Sequence, residues 1–268
     1  YDMMKTALET ATAKNADAPV IVIGHHGIPN TAYVTNEWYG SYGKLLDLFK
    51  AYPQVIHISG HSHATLEDAR SIYQNDVYTA IQDGTIGAYF ENETGKIDPS
   101  TGKASTYPDD REVSSEALQI DVMQDGTVKI HRMNLTFGSY MYEDEPWVFA
   151  ANSTVRPYDG TRTSANAPIF SDDAAVTMDN ITGSAMTVHF PAAKPGSDKN
   201  ADMIHTYKVT LTPQDGSNAI QRSVFADYYE KTQKSDWSVK MIDLPGETTY
   251  TVSVQAVTSF GAESAPIT

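Results

Sequence analysis

VIHISGHSHA, residues 55–64, is the stretch that decides the fold of the first half of this chain. A short β-branched run ends at a glycine, and two histidines follow with one residue between them. Because residues two apart in an extended segment point the same way, we expect His61 and His63 to enter one site. The stretch therefore predicts a buried strand that delivers two imidazoles at its carboxyl end.

PVIVIGHHG, residues 19–27, repeats the pattern of an apolar run, a glycine and then histidine. Apolar spacing in residues 2–14 and 43–52 predicts that a helix precedes each of the two strands. Strands that alternate with helices in this way are typical of a layered α/β arrangement with parallel strands. Ligands then gather at the carboxyl ends of neighbouring strands, which predicts that His25 lies close to His61 and His63.

Gly24-His25, before a loop with proline, and Gly60-His61-Ser62-His63 resemble the last two motifs of the calcineurin-like metallophosphoesterases. The resemblance implies hydrolysis of phosphate esters by two divalent or trivalent metal ions, for which imidazole and carboxylate ligands suit Mn, Fe or Zn. It also implies part of an α/β/β/α sandwich over residues 1–165. His25 and His61 would ligate one ion and His63 the other, while His26 would support a ligand or face the substrate.

The resemblance covers only two of the family's motifs. Three earlier motifs, of the forms Asp-x-His, Gly-Asp-x-x-Asp and Gly-Asn-His-Asp/Glu, do not occur in this sequence. We therefore expect the chain to correspond to the C-terminal half of such a domain and to have little or no activity by itself. The missing half would be its partner, and exposed sheet edges could drive self-association.

Composition limits the classes of partner and site. The 19 basic and 34 acidic residues give a net charge of −15, which argues against nucleic acid or anionic membranes as electrostatic partners. The absence of cysteine excludes disulfides and thiolate metal ligands. No run approaches the ~20 apolar residues of a membrane span.

Residues 166–268 change to short strands separated by turns, which predicts a β-sandwich. The expected strands are about 174–178, 184–190, 203–212, 220–226, 237–242 and 249–257. LPGETTYTVSVQA, residues 244–256, resembles the sixth strand of a fibronectin type III domain, with Tyr250 as its corner tyrosine. Phe190 stands where that family usually has tryptophan. Such a module implies an extracellular or cell-surface location in a bacterium.

The function that these patterns favour is metal-dependent phosphoester hydrolysis, with a phosphate ester as substrate. One alternative is a non-catalytic cell-surface binding module with a degenerate phosphoesterase half, and another is an unrelated zinc hydrolase that uses the same three histidines. The remaining histidines, at positions 57, 131, 189 and 205, are interpreted as structural. Trp38 is either a substrate contact or a lid over the core, and residues 91–112 are expected to form a surface excursion.

Overall fold

The computed structural model describes residues 1–35, 43–74, 78–86, 93–108 and 115–268. They form two compact units, of which the first comprises Tyr1–Glu91 with Glu112–Arg162. The second comprises Asn92–Arg111 with Thr163–Thr268. The boundary predicted near residue 165 lies close to the last crossing between the units, whereas 92–111 join the second unit instead of forming a separate excursion.

The elements follow the predicted alternation in the first unit and the predicted strand series in the second. The two α-helices of the described chain are α1 (Asp2–Lys14) and α2 (Gly43–Lys50). The strands described, in chain order, are β1 (Val20–Gly24), β2 (Val55–Ser59), β3 (Ile72–Gln74), β4 (Thr79–Gln82), β5 (Lys96–Ile97), β6 (Ala104–Ser105), β7 (Glu116–Val122), β8 (Thr127–Asn134), β9 (Ser139–Tyr140), β10 (Trp147–Ala150), β11 (Thr177–Asp179), β12 (Met186–Pro191), β13 (Ile204–Pro213), β14 (Ile220–Phe225), β15 (Asp236–Met241) and β16 (Tyr250–Thr258).

The first sheet of the first unit has the order β1-β2-β4-β3. β1, β2 and β4 run parallel, and β3 is antiparallel to β4. β2 is buried along its whole length because it lies between two neighbours and is covered on both faces. β1 lies at the end of this order, and its Ile21 and Ile23 are 41% and 77% exposed, so it is less buried than the sequence pattern suggests.

Both faces of this sheet are packed against other elements. On one face, α1 and α2 contribute Leu8, Leu48 and Phe49 to a core that includes Val55 of β2. On the other face, Ile56 and Ile58 pack with residues of a second sheet. The described part of the first unit therefore has α/β/β layers, as alternate residues of β2 face opposite layers.

The second sheet has the order β10-β8-β7, and β9 pairs with β8. The β7–β8 hairpin predicted from its Asp-Gly turn is confirmed, with Gly126 at φ 82. The side chain of Asp125 also accepts a hydrogen bond from the backbone N–H of Thr127 at 2.9 Å. β10 has no counterpart in the sequence prediction, although Trp147 and Phe149 alternate inward from it.

The second unit is a fibronectin type III-like sandwich. One sheet has the order β11-β12-β15 and the other β16-β13-β14-β5-β6, and the strands predicted from sequence are confirmed to within a few residues. The β5–β6 hairpin extends the second sheet through a parallel pairing of Lys96 with Ser223 of β14. Local patterning does not predict this pairing, because the two partners lie far apart in sequence.

The corner of β16 is formed by Tyr250, as predicted. Its hydroxyl donates to the carbonyl oxygen of Pro245 at 3.2 Å. Val252 and Val254 follow on the buried face of the same strand. Phe190 is 3% exposed and stacks on Trp237 with the ring planes 9° apart, so aromatic bulk is retained at that core position.

No helix in the described ranges combines the length and the apolar character needed to cross a membrane.

Candidate metal centre

Three histidines meet where β1 and β2 end. The parallel register pairs Gly24 with Ser59, so the residues that follow each strand leave the sheet at the same edge. His25, His26 and His61 each offer a ligand atom, and these atoms lie within 4.8 Å of one another. His61 Nδ1 and His25 Nε2 are 2.9 Å apart. We call this set the three-histidine group.

The chain does not stay extended through the Gly-His-x-His segment. His61 and His63 have φ values of 70° and 52°, and the N–H of Ser62 donates to the carbonyl oxygen of Gly60 at 2.9 Å. The extended geometry expected from sequence is therefore wrong, because the backbone turns directly after Gly60. Left-handed backbone at residues other than glycine is uncommon, and such strain concentrates at functional sites.

The turn changes which histidines come together. His63 lies outside the three-histidine group in the described structure, and His26 takes the third place. His63 still lines the same cavity as His61 and interacts electrostatically with His25. The ligand set His25, His61 and His63 stays a prediction, and the structure adds His26 as a further candidate.

A cavity of about 610 Å³ lies beside these histidines in the first unit. Its polar wall contains His61, His63, Asp83 and Glu116, and Ile23 is among its apolar lining residues. A carboxylate and imidazoles on one wall suit a metal with an anionic ligand.

From the sequence, Asp83 is interpreted as part of the Asp83-Gly84 turn and not as a ligand, whereas the structure places it on the cavity wall. It follows β4 directly, and its N–H donates to the carbonyl oxygen of Ser59 at 3.0 Å. A Cβ placed on Gly60 would lie 3.2 Å from an Asp83 carboxylate oxygen, which explains why glycine suits position 60. The signal in the sequence was its place directly after a third parallel strand, the same rule that identified His25 and His61.

Three groups at the site, His61, His63 and Asp83, have shifted pKa values. Burial lowers the pKa of His61, and the neighbouring His26, His25 and His63 lower it further. Burial and His25 also lower the pKa of His63, against the opposing effect of Asp83. Burial raises the pKa of Asp83, although His25 and His63 partly offset that effect. Neutral imidazole is the form that ligates metals.

The three imidazoles fit a metal ion. Nitrogens that ligate zinc lie 2.0–2.1 Å from it, so two of them in tetrahedral geometry are about 3.3 Å apart. The 2.9 Å between His61 Nδ1 and His25 Nε2 needs only a small opening to reach that separation. The described residues thus present donors of the right type, and the His25–His61 pair lies close to the required spacing.

Glu116, in the cavity wall, forms a buried carboxyl pair with Glu67. Thr65 Oγ1 contacts Glu67 Oε2 and also Glu116 Oε1, the latter at 2.9 Å, and it accepts the N–H of Glu67. Thr65 Oγ1 is the donor toward both carboxyl groups, so one hydroxyl joins Glu67 and Glu116. Burial, followed by the nearby Glu67, raises the pKa of Glu116 well above its usual value.

The other histidines occupy structural surroundings. His57 is 2% exposed and packs on Phe49, and burial lowers its pKa to about 4. His131 Nδ1 lies 2.6 Å from Asp144. His205 is buried and stacks on the ring of Tyr228. Trp38, proposed as a substrate contact or a lid, lies outside the described residues.

Among known proteins, the chain is similar to solved structures of fibronectin type III domains. No family model and no curated protein matches the chain. Among solved structures, a fibronectin type III domain of human collagen XX is 17% identical, with a TM-score of 0.25, covering 39% of this chain and 90% of that chain. A segment of two such domains from chicken tenascin is 16% identical, with a TM-score of 0.26, covering 57% and 96%. A myokine structure is 19% identical, with a TM-score of 0.25, covering 38% and 92%. We assign the fibronectin-like fold from strand order, because these scores are low.

Proposed function

We propose that the first unit belongs to a metal-dependent phosphoester hydrolase of the calcineurin-like kind. The observation that carries the proposal is the meeting of His25, His26 and His61 within 4.8 Å at the carboxyl edge of a parallel sheet. Such edges are where α/β proteins place their ligands. The adjoining cavity gives room for a phosphate ester beside the imidazoles.

The histidines of the first unit would have different roles in such a site. His25 and His61 would hold one ion, and His63 would hold the other from the same cavity wall. His26 is only partly buried, so it can either complete the first ligand set or approach the phosphoryl group. When bound, Mn, Fe or Zn would activate a water molecule and stabilise charge on phosphoryl oxygens.

The chain by itself is expected to hydrolyse phosphate esters slowly or not at all. The proposed mechanism requires a bridging carboxylate and an asparagine ligand from motifs that this sequence does not contain. Hydrolysis of p-nitrophenyl phosphate and of its bis-ester with added Mn tests the proposal. A version extended upstream by the three missing motifs should be far faster than this chain, and slow turnover by both would contradict the hydrolase function.

A non-catalytic surface module is the second candidate. The fibronectin-like sandwich favours it, because such modules act mainly as spacers or binding surfaces. We also propose an extracellular or cell-surface location in a bacterium, and self-association through an exposed sheet edge such as β1, the end strand of the described sheet. Metal binding without turnover in the extended protein would favour this candidate over the enzyme.

A further inference from the structure

Asp83 has surroundings that a structural role does not account for. Its carboxylate lies over Gly60, in the wall of the cavity that His61 and His63 also line. Its backbone N–H is engaged with Ser59, which fixes the residue beside the end of β2. The side chain is therefore held at the histidine site by backbone pairing and does not reach it by chance.

The side chains that interact electrostatically with the Asp83 carboxylate are imidazoles. Among the described residues, the titratable groups that interact with it are His25 and His63, and no lysine or arginine contributes. A carboxylate withdrawn from water is stabilised by a nearby positive charge, and imidazoles, the groups that face this one, are themselves metal ligands. A bound cation would supply that charge and would engage the imidazoles at the same time.

Resting on the proposed metal centre, we infer that Asp83 is a metal ligand, acting together with His63 on the cavity wall beside the three-histidine group. The three parallel strands β1, β2 and β4 then each end in a ligand. This gives a mixed nitrogen and oxygen donor set. Carboxylate oxygen favours harder cations such as Mn²⁺, whereas imidazole alone suits Zn²⁺ well. Asp83 is thereby assigned a role in metal choice as well as in affinity.

The test compares metal binding by the unaltered chain with binding by Asp83→Asn and Asp47→Asn. Asp47 is an exposed carboxylate on α2, in the same unit, and it does not line the cavity. Titration with Mn²⁺ and with Zn²⁺, followed by calorimetry, is expected to show at least a tenfold loss of Mn²⁺ affinity in Asp83→Asn. The loss for Zn²⁺ should be smaller, and Asp47→Asn should match the unaltered chain.

Three outcomes overturn the inference in distinguishable ways. Equal Mn²⁺ affinity in Asp83→Asn and the unaltered chain removes Asp83 but leaves the histidine centre and the proposed function in place. If the unaltered chain binds neither metal, both the Asp83 inference and the proposed function are contradicted. If Asp83→Asn fails to fold, anomalous scattering from Mn²⁺ in crystals of the unaltered chain decides. An Asp83 oxygen about 2.0–2.6 Å from the metal supports the inference, and an ion held by histidines alone overturns it.

Discussion

His61 lies at the point where the ends of β1 and β2 meet, and its ring contacts the rings of both His25 and His26 at centroid distances of 4.8 and 4.5 Å. Its backbone is left-handed, with φ 70°. A single residue thus links the two strand ends. At this scale the site depends on one strained turn.

We predict that His61→Ala lowers metal content far more than His131→Ala or His205→Ala. Only His61 of these three lies in the three-histidine group, whereas His131 pairs with Asp144 and His205 lies in the sandwich. Binding should also weaken as pH falls through about 6, because protonated imidazole cannot ligate. Metal analysis of the three variants is the measurement, and equal losses would contradict the assignment.

A second prediction concerns acid stability and His57. Its pKa is about 4 in the folded chain against 6.5 as the ordinary value, so the unfolded chain binds a proton that the folded chain excludes. Stability from this group is complete above pH 6.5 and is lost as pH falls toward 4, by about 3 kcal/mol in all.

His57→Gln removes the titrating group and should flatten the dependence of unfolding free energy on pH between 6.5 and 4. Urea unfolding at a series of pH values measures this slope. His189→Gln is the matched control, because His189 is much more exposed and His57 remains intact in it. If His57→Gln and the unaltered chain show parallel curves, burial of His57 is not the source of acid sensitivity.

At the scale of elements, the β5–β6 hairpin is held by a sheet whose other strands lie far from it in sequence. Ile97 is buried, and the N–H of Lys240 donates to the carbonyl oxygen of Pro99 at 2.8 Å. Gly102 has φ 73, and a Cβ there would lie 2.6 Å from the Lys240 carbonyl oxygen. The hairpin therefore needs glycine at position 102 for both conformation and space.

We predict that Gly102→Ala destabilises the second unit by about 1–3 kcal/mol. Gly95→Ala is the control, since Gly95 also has positive φ, at 86, but has nothing within 4 Å of the added Cβ. Thermal unfolding of both variants separates backbone strain from the clash with β15. A cost for Gly102→Ala no larger than that for Gly95→Ala would show that the hairpin does not pack tightly on the sheet.

At the scale of the whole molecule, the two units have separate cores and different architectures. The first has helices on a mostly parallel sheet and holds every candidate metal ligand. The second is an all-β sandwich with its own tyrosine corner. Separate cores predict separate folding behaviour.

Residues 167–268 are accordingly expected to fold alone, with a cooperative melt that EDTA leaves unchanged. This fragment lacks β5 and β6, which pair with β14, so it should melt at a lower temperature than the second unit does in the whole chain. Calorimetry of the fragment with and without EDTA is the measurement. A non-cooperative melt, or one that shifts with EDTA, would contradict independent folding.

The sequence by itself determined the local elements and the type of chemistry. The helix over residues 2–14, the β7–β8 hairpin and the alternation of β16 follow from period and turn residues that act over a few positions. The Gly-His pairs at two strand ends indicated a histidine site at one sheet edge. These features depend on near neighbours in the chain, and for that reason they can be predicted without the fold.

Only the tertiary structure decided which residues complete the site. His26 lies with His25 and His61 in the three-histidine group, His63 lines the adjoining cavity, and Asp83 reaches the same wall because β4 pairs with β2. Glu116 joins Thr65 across 51 positions of sequence. Such contacts are set by strand pairing and core packing between residues far apart in sequence. Local sequence patterns carry no information about them.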